Sequence, residues 1–266
     1  MTSGTDSSTD TAEPPAVSPV VIKLGGSVIT DKDGNETVTT EALAAAAASI
    51  GAADVEELVI VHGGGSFGHP AAEAAGAAID AGTTDTRAIR EIHEAMGRLH
   101  GSVLDALEEN GVKAVPVRPF SAGYRDKSGA VHLTTNQIAA MLAEGFVPVL
   151  HGDVLTTEGA GATIVSGDEL VVSIAESLDA EAVGLCTTVP GVLDDNDEVI
   201  PQIGDFEVVS DVLGGSDSTD VTGGMAGKVR ALLELDASSR IFDLAGLAGF
   251  LAGGEPGTRI DGRSER

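Results

Sequence analysis

The sequence predicts an α/β fold in which a mostly parallel sheet is covered by helices on both faces. Short apolar runs of strand length alternate with longer helical stretches along most of the 266 residues, and this alternation is typical of parallel strands joined by crossover helices. Glycine clusters also follow the first two apolar runs directly. Because such turns let backbone N–H groups approach an anion, the same pattern indicates where a binding site should lie.

The elements are predicted in order along the chain. Six apolar runs are interpreted as strands, at Val20–Leu24 and at residues 58–61, 114–117, 147–150, 182–186 and 257–260. Four stretches are interpreted as helices, at residues 39–50, 83–109, 168–178 and 225–235. Either Thr39 or Thr40 can serve as N-cap of the first helix. Residues 120–132 predict a β-hairpin that turns at Lys127-Ser128-Gly129.

The chain is expected to hold one folded domain behind a disordered tail. Residues 1–19 are rich in Ser, Thr, Asp and Pro, and they lack the basic start and apolar block of a signal peptide. Residues 20–266 are predicted to form a single domain with two lobes, at about 20–160 and 161–266. No apolar run reaches membrane-spanning length. The single cysteine, Cys186, is expected in a buried strand and fits a reducing cytoplasm.

The charge balance excludes two classes of partner. Fifteen Lys and Arg residues stand against 42 Asp and Glu, which gives a formal net charge of −27. Neither nucleic-acid backbones nor anionic membrane surfaces are expected partners, since both are bound through basic side chains. Only five residues are lysine. Such a surface repels itself in dilute buffer, so we interpret the composition as adaptation to molar salt, with an ordinary acidic protein as the alternative.

Three glycine-rich segments carry the candidate chemistry. They read K-L-G-G-S from Lys23, H-G-G-G-S-F-G-H from His62 and G-G-M-A-G-K up to Lys228. Three of the five lysines, including Lys32, lie within or just beyond such segments, as phosphate neutralisation requires. Some clusters can be plain turns, because the chain has 35 glycines. The spacing matches neither a P-loop nor a Rossmann fingerprint.

The ordered set of motifs resembles the amino acid kinase superfamily, and within it the branch that phosphorylates isopentenyl phosphate. The motifs are V-I-K-L-G-G-S-V-I-T-D-K, V-H-G-G-G-S-F-G-H-P, H-G-D-V, S-G-D-E and D-V-T-G-G-M-A-G-K, within residues 20–260. The resemblance implies a three-layer αβα sandwich with one continuous sheet. It also implies an acceptor lobe at the amino-terminal side and a nucleotide lobe at the carboxy-terminal side.

The resemblance also implies roles for individual residues. Lys23 would contact the transferred phosphoryl group, Lys32 would stabilise the transition state, and Lys228 would contact the nucleotide. His69 would bind the acceptor's phosphate, and Asp168 would orient the catalytic lysines. Further contacts are implied for Gly64 and Gly152 towards the acceptor, and for Gly25, Gly26, Ser27, Gly65, Thr188 and Gly224 towards ATP. Thr188 stands where the family often has aspartate, a departure that affects the nucleotide side.

The function that the resemblance implies is ATP-dependent phosphorylation of isopentenyl phosphate by a cytoplasmic homodimer. Mg²⁺ would arrive with ATP, held mainly by its phosphates. One alternative is a kinase for another phosphate or phosphonate, such as a fosfomycin-kinase-like enzyme, and another is a non-catalytic nucleotide-binding regulator. Retention of the lysines argues against the regulator.

Several features of the sequence are expected to lie outside the chemistry. No His/Cys cluster suggests a protein-bound transition metal. His62 is expected in the core, whereas the environment of His151 is left open. In the predicted helix 83–109, apolar residues recur at steps of three and four, namely Ile89, Ile92, Met96, Leu99 and Val103. This apolar stripe either packs into the core or a subunit interface, or forms one wall of the acceptor pocket.

Overall fold

The computed structural model of the chain describes residues 17–210 and 224–262. Its strands are β1 (Val20–Leu24), β2 (Leu58–His62), β3 (Ala114–Pro116), β4 (Gly123–Arg125), β5 (Val131–Leu133), β6 (Val147–His151), β7 (Asp153–Thr157), β8 (Gly161–Val165), β9 (Ala182–Thr187), β10 (Gln202–Ile203), β11 (Ser238–Asp243) and β12 (Thr258–Ile260). Its helices are α1 (Gly26–Ile29), α2 (Thr40–Gly51), α3 (Gly65–Ala75), α4 (Thr86–Glu109), α5 (Pro119–Ala122), α6 (Thr135–Ala143), α7 (Gly167–Ser177), α8 (Gly224–Leu233) and α9 (Leu247–Leu251), with a 3₁₀ turn at Leu244–Gly246.

The main sheet has eight strands in the order β10-β12-β11-β9-β1-β2-β6-β3. Its pairs are parallel except for β11 with β12, so only β10 and β12 run against the rest. Both predicted lobes contribute strands to this one sheet. The predicted fold class is therefore confirmed, whereas the division into lobes stays a prediction.

Helices cover both faces of the main sheet because its central strands carry apolar residues on both faces. Val21 packs into one core with residues of α6, α7 and α8. Its neighbours Ile22 and Leu24 pack into a second core with residues of α2, α4 and α9. The alternation along β1 assigns Lys23 to the same face as Val21, which is the face that α7 covers. Because of this placement, the Lys23 side chain can contact residues of α7.

A second sheet has four strands, in the order β5-β4-β7-β8, and is not hydrogen-bonded to the first. Its β4 and β5 form the predicted hairpin, with Gly123 opposite Leu133 and the turn at residues 126–130. The predicted start of that hairpin is wrong, since Phe120 belongs to α5. Pro119 stands at the first position of α5, where its fixed φ suits a helix and its missing N–H costs nothing. The predicted lobe boundary at about residue 160 falls on the β7–β8 hairpin.

The predicted tail lies mostly outside the described residues, which begin at Val17. The first described residues are already fixed to the domain. The Ser18 hydroxyl donates to the carbonyl of Asp179 at 2.6 Å, and the Ser18 amide donates to Glu57 Oε2 at 2.8 Å. The Glu181 amide also donates to the carbonyl of Pro19 at 3.0 Å. These bonds fix the chain just before β1.

Candidate active site

The carboxyl ends of four neighbouring strands carry the loops of the candidate site. Backbone hydrogen bonds join these loops directly: the Gly25 amide donates to the Cys186 carbonyl at 2.9 Å, and the Gly63 amide donates to the Leu24 carbonyl at 2.9 Å. The Gly152 amide likewise donates to a carbonyl at the end of β2 at 3.0 Å. The loops after β1, β2, β6 and β9 therefore meet at one edge of the sheet, as the glycine pattern predicts.

The two glycine turns after β1 and β2 pack backbone against backbone. A Cβ on Gly63 would lie 2.6 Å from the Gly26 nitrogen, and a Cβ on Gly26 would collide with the Gly65 nitrogen. Gly65 also has a φ of +47°, in the left-handed region that favours glycine. Side chains at these positions would push the turns apart, so the glycines are required by the close approach.

Lys23 and Lys228 converge on a single carboxylate. Lys23 is only 6% exposed, and its Nζ lies 2.7 Å from Asp168 Oδ1. Lys228 Nζ lies 3.7 Å from Asp168 Oδ2 and donates to the Gly224 carbonyl at 3.2 Å. Gly167 makes room for this arrangement, since a Cβ there would lie 2.9 Å from Lys23 Cε. The two lysines predicted from the glycine segments are thus joined through the aspartate implied by the resemblance.

The environment of Asp168 keeps it ionised. Burial by itself raises the pKa of Asp168, but the nearby charges of Lys23 and then of Lys228 outweigh burial and hold that pKa below its usual range. Asp168 lies in the first turn of α7, whose N-cap Ser166 forms a capping box with Glu169. The carboxylate therefore sits on a rigidly capped helix end, and its charge fixes both ammonium groups.

A cleft of about 280 Å³ opens above these charges. The predicted site residues that line it are Lys23, Gly25, Gly26, Ser27, Lys32, Gly64, Gly65, His69, Gly152, Thr188, Gly224 and Lys228. Asp168 lies behind the lysines and is 7% exposed. The structure thus brings together every residue that the sequence placed in the site, including residues from both ends of the chain.

The opposite side of the cleft is more open and more apolar. Lys32 and His69 line it with exposed side chains, Lys32 from the loop that follows α1 and His69 from α3. Beyond them the lining is apolar and includes Ala72, Ile92, Met96 and Ile164. A small hydrocarbon group could be enclosed at this end.

The apolar stripe of α4 is divided between the two interpretations that the sequence left open. Ile92 and Met96 line the cleft and are 1% and 2% exposed. Leu99 and Val103, one and two turns further on, are fully buried in the core that α2 and α4 share. Ile89 packs in a small cluster with residues of α3. Only the middle of the stripe therefore belongs to the pocket wall.

Three buried histidines form a cluster that the sequence did not predict. His62 Nε2 lies 3.1 Å from His100 Nδ1, and the His151 ring lies 4.6 Å from that of His100. Burial is the main cause that lowers the pKa of His62 and of His100 to about 3 and that of His151 to about 4. All three rings are therefore neutral near pH 7. The expectation that His62 lies in the core is confirmed, and His151 lies there too.

The sequence analysis also missed a polar pair next to the cleft, formed by Asp153 and His93. Asp153 lines the cleft, and its buried carboxylate accepts a hydrogen bond from His93 Nδ1 at 2.7 Å. This hydrogen bond is the main cause that raises the pKa of His93. No sequence signal joins these residues, because they lie on α4 and β7.

The capping box of Ser166 with Glu169, by contrast, could have been predicted from the sequence, since Ser-x-x-Glu stands before an apolar run.

The remaining sequence expectations concern cysteine, membranes and metals. Cys186 is 1% exposed, and burial raises the pKa of its thiol to about 12, which confirms it as a buried strand residue. No helix among the described residues is both long and apolar enough to cross a membrane. Within residues 17–210 and 224–262, no group of three or more His, Cys, Asp or Glu side chains is arranged to hold a metal ion.

The fold and the cleft define a class of protein. Glycine turns at the ends of parallel strands, together with lysines that share one carboxylate, form a site for adjacent phosphate groups, as in phosphoryl-transfer enzymes. The chain belongs to the amino acid kinase family, since the model of that family matches residues 18–241. The resemblance inferred from the motifs is confirmed.

Comparison with individual proteins narrows the position within the family. The chain is 57% identical over 244 residues to isopentenyl phosphate kinase of Haloferax volcanii, covering 91% of this chain and 98% of that protein. It is 36% identical to isopentenyl phosphate kinase of Methanothermobacter thermautotrophicus, covering 92% and 99% of the two chains. An X-ray structure of isopentenyl phosphate kinase superposes with a TM-score of 0.75 at 32% identity, covering 91% of this chain and 99% of that one.

Proposed function

We propose that this chain transfers the γ-phosphoryl group of ATP to isopentenyl phosphate, forming isopentenyl diphosphate and ADP. The observation that carries the proposal is the composition of one continuous cleft. Lys23 and Lys228 face it at one end, and His69 stands beside an apolar wall at the other. A nucleotide's phosphates suit the first end, and a phosphate with a small hydrocarbon tail suits the second. The relatives named isopentenyl phosphate kinase, which are similar over nearly their whole length, support the same acceptor.

The reaction requires charge neutralisation more than proton transfer. An oxygen of the acceptor's phosphate forms a new bond to the γ-phosphorus, while the bond from that phosphorus to the β–γ bridging oxygen breaks. The bridging oxygen leaves with ADP. The attacking phosphate oxygen is already ionised, so no general base is needed. What the protein must supply is alignment and positive charge on the equatorial and leaving oxygens.

The residues of the cleft match these requirements by position. Lys23 and Lys228, held by Asp168, would neutralise the donor phosphates. Lys32 would reach the transferred group from the open side, and His69 would bind the acceptor's phosphate. The amides of the glycine turns would supply further donors between the two phosphate groups.

Mg²⁺ would accompany ATP, and the donor set of the cleft fits binding mainly through the nucleotide. Both oxygens of Asp168 face lysine ammonium groups. Asp153 already accepts hydrogen bonds from His93 and from the Val154 amide. These carboxylates are engaged by the protein itself, so the phosphate oxygens of ATP would be the principal ligands. Bound there, Mg²⁺ would neutralise phosphate charge.

The test is an assay of ADP release in molar KCl with four acceptors compared side by side: isopentenyl phosphate, fosfomycin, UMP and acetylglutamate. We expect the highest kcat/KM with isopentenyl phosphate. A preference for fosfomycin or UMP would replace the acceptor while retaining a phosphate- or phosphonate-directed kinase. Turnover of none of the four, with ATP still bound, would favour the nucleotide-binding regulator.

We also propose that the protein works as a homodimer in a cytoplasm with molar salt. The net charge of −27 supports the salt requirement, because screening and ion binding relieve self-repulsion of the folded state. The melting temperature should rise steeply from low to multimolar KCl, and a flat profile would contradict the proposal. Light scattering in the same buffers measures the oligomeric state, and a monomer at all salt concentrations would contradict the dimer.

A further inference from the structure

Lys32 stands on an exposed loop, although its proposed role requires a fixed position. The loop leaves α1 and returns to α2 as a short ribbon. Its base is closed by a β-bridge between Thr30 and Val38 and by the Asp31 amide, which donates to the Thr37 carbonyl at 2.9 Å. Lys32 directly follows this base, and the Asp33 amide donates to Asp31 Oδ1 at 3.0 Å, so the position of Lys32 depends on how the ribbon is attached to the rest of the molecule.

Ser66 of α3 holds the returning arm of the ribbon. The Thr37 amide donates to the Ser66 hydroxyl at 3.3 Å, and the Glu36 amide donates to the Ser66 carbonyl at 3.2 Å. The Ser66 amide in turn donates to the Thr30 hydroxyl at 3.0 Å. The loop that carries Lys32 is thus connected to the glycine turn that follows β2.

A bidentate ion pair attaches the same arm to α4. Arg98 Nε donates to Glu36 Oε2 at 2.7 Å, and Arg98 Nη2 donates to Glu36 Oε1 at 2.5 Å. The hydrogen bond from Arg98 is the main cause that lowers the pKa of Glu36. The two residues are 62 positions apart in sequence, so this pair fixes one element to another. Two other arginines of α4, Arg87 and Arg90, pair instead with glutamates four residues ahead on the same helix.

The backbone at Glu36 indicates that this attachment is specific. Glu36 has a φ of +48°, in the left-handed region that residues other than glycine rarely adopt. Such a conformation persists where surrounding contacts impose it. Here the amide of Glu36 is held by α3 and its carboxylate by α4. Glu36 therefore acts as a clamp between two helices at the loop that carries Lys32.

We propose that Arg98, acting through Glu36, is a positioning residue for Lys32. The inference rests on the proposed role of Lys32 in phosphoryl transfer. Exposed ion pairs contribute little to global stability, and the side chains of Arg98 and Glu36 are 53% and 33% exposed. The pair's effect should therefore appear in kcat, through the position of Lys32, and leave the melting temperature unchanged.

The first experiment compares Arg98→Ala with Arg87→Ala at one fixed KCl concentration. Arg98→Ala should lower kcat by about ten- to a hundredfold, the scale of a displaced catalytic group. It should leave the KM of ATP, the KM of the acceptor and the melting temperature nearly unchanged. Arg87→Ala removes an arginine–glutamate pair of the same helix at 2.8 Å, and it should leave kcat unchanged. A normal kcat in Arg98→Ala, or equal losses in both variants, would overturn the proposal.

A double-variant cycle tests whether Arg98 acts through Lys32. In a Lys32→Met background, Arg98→Ala should cause little further loss of kcat, because the group that it positions is already absent. The charge-swapped double variant Glu36→Arg with Arg98→Glu should recover part of the lost kcat. Multiplicative losses in the first comparison would show that Arg98 acts independently of Lys32, contrary to the proposal.

Hydrogen exchange tests whether Arg98 holds the loop that carries Lys32, and it does so independently of phosphoryl transfer. Arg98→Ala should increase amide exchange several-fold in residues 31–37, whereas Arg87→Ala should not. Unchanged protection of these residues would overturn the proposal even if kcat falls. If the wild type turns over no acceptor, the proposed function fails, and increased exchange confined to residues 31–37 would still establish the attachment by Arg98.

Discussion

The two ends of the cleft hold their charges in different ways. At the buried end, Lys23 and Asp168 are 6% and 7% exposed and lie 2.7 Å apart, so each charge stabilises the other. At the open end, Lys32 and His69 are exposed and depend on the loop and helix that carry them. A buried charge that loses its partner is costly to the fold, whereas an exposed charge can be removed at little cost. Replacing the lysine by methionine should therefore lower both stability and activity at the buried end, but only activity at the open end.

The largest expected effect tests this difference with two lysine variants. Lys23→Met should lower kcat by roughly two to four powers of ten, the scale of one lost charge on a developing oxyanion. It should also lower the unfolding free energy, because the buried Asp168 loses its closest ammonium group and keeps the more distant Lys228 at 3.7 Å. Lys32→Met should lower kcat more than it raises the acceptor KM and leave the unfolding free energy nearly unchanged. Steady-state kinetics and denaturant melts measure both quantities.

Lys113→Met is the matched control, since Lys113 is exposed and does not line the cleft. It should change neither kcat nor stability. If Lys32→Met changes only KM, its role in the transition state is wrong. If Lys23→Met is as stable as the wild type, the buried pair with Asp168 does not behave as the geometry indicates.

The sequence predicted site residues that have a local signal and missed those that depend on contacts between distant elements. Lys23 and Lys228 were identified because glycine segments and scarce lysines are local signals. The role of Asp168 came only from the resemblance, and the space provided by Gly167 had no local signal at all. Clamps such as the pair of Glu36 with Arg98 are also invisible in a single sequence, because they join elements whose relative position only the folded chain defines.

The second expected effect concerns the buried cluster of His62, His100 and His151. The pKa values of His62 and His100 are lowered to about 3 and that of His151 to about 4, against about 6.5 in an unfolded chain. The unfolded state therefore gains protons first as the pH falls. Each of these histidines should cost about 2 kcal/mol of stability between pH 8 and pH 5. His93, whose pKa is raised, opposes this loss with a single group.

The test compares the pH dependence of unfolding in His100→Asn and the wild type. Asparagine can retain a polar group facing His62, while one of the three titrating rings is removed. The loss of stability from pH 8 to pH 5 should shrink by up to about 2 kcal/mol. An identical slope in His100→Asn would show that His100 titrates normally in the folded protein.

The fold was predictable where periodicity was strong, and it was missed where local composition opposed the structure. The long helix 83–109 was predicted from its apolar spacing and is found as α4. Helix α3 was missed because its sequence contains two glycines and Pro70, which are poor helix formers. The β7–β8 hairpin was missed because its strands are largely buried and show little polar alternation. Tertiary packing decides the structure in these two segments.

The third expected effect concerns the acceptor's phosphate at the open end. A charge-assisted hydrogen bond to phosphate contributes on the order of 1.5–3 kcal/mol. His69→Ala should therefore weaken the acceptor about ten- to a hundredfold by that conversion, while ATP binding and stability remain nearly intact. Calorimetric titration with each ligand measures the two affinities. Equal loss for both ligands would place His69 at a shared or structural position.

The smallest expected effect concerns the apolar wall that Ile92 and Met96 provide. Met96 packs against the glycine turn after β2 and the start of α3, since a Cβ would lie 3.2 Å from its sulfur on Gly64 and 2.8 Å from it on Gly68. Its side chain therefore fills the space between that turn and the cleft. Ile89 lies in the same stripe without lining the cleft. This difference allows a pocket residue to be compared with a neighbour on the same helix face.

Shortening the wall should change which acceptor length is preferred, and it should not abolish activity. Burial of one methylene contributes about 0.8 kcal/mol, so the extra volume in Met96→Ala or Ile92→Ala should favour ten-carbon geranyl phosphate over isopentenyl phosphate by several-fold. The measurement is the ratio of kcat/KM values for the two acceptors, with Ile89→Ala as the control that should keep the wild-type ratio. An unchanged ratio in both well-folded pocket variants would assign Ile92 and Met96 to the core, and the acceptor's tail would then have to bind elsewhere in the cleft.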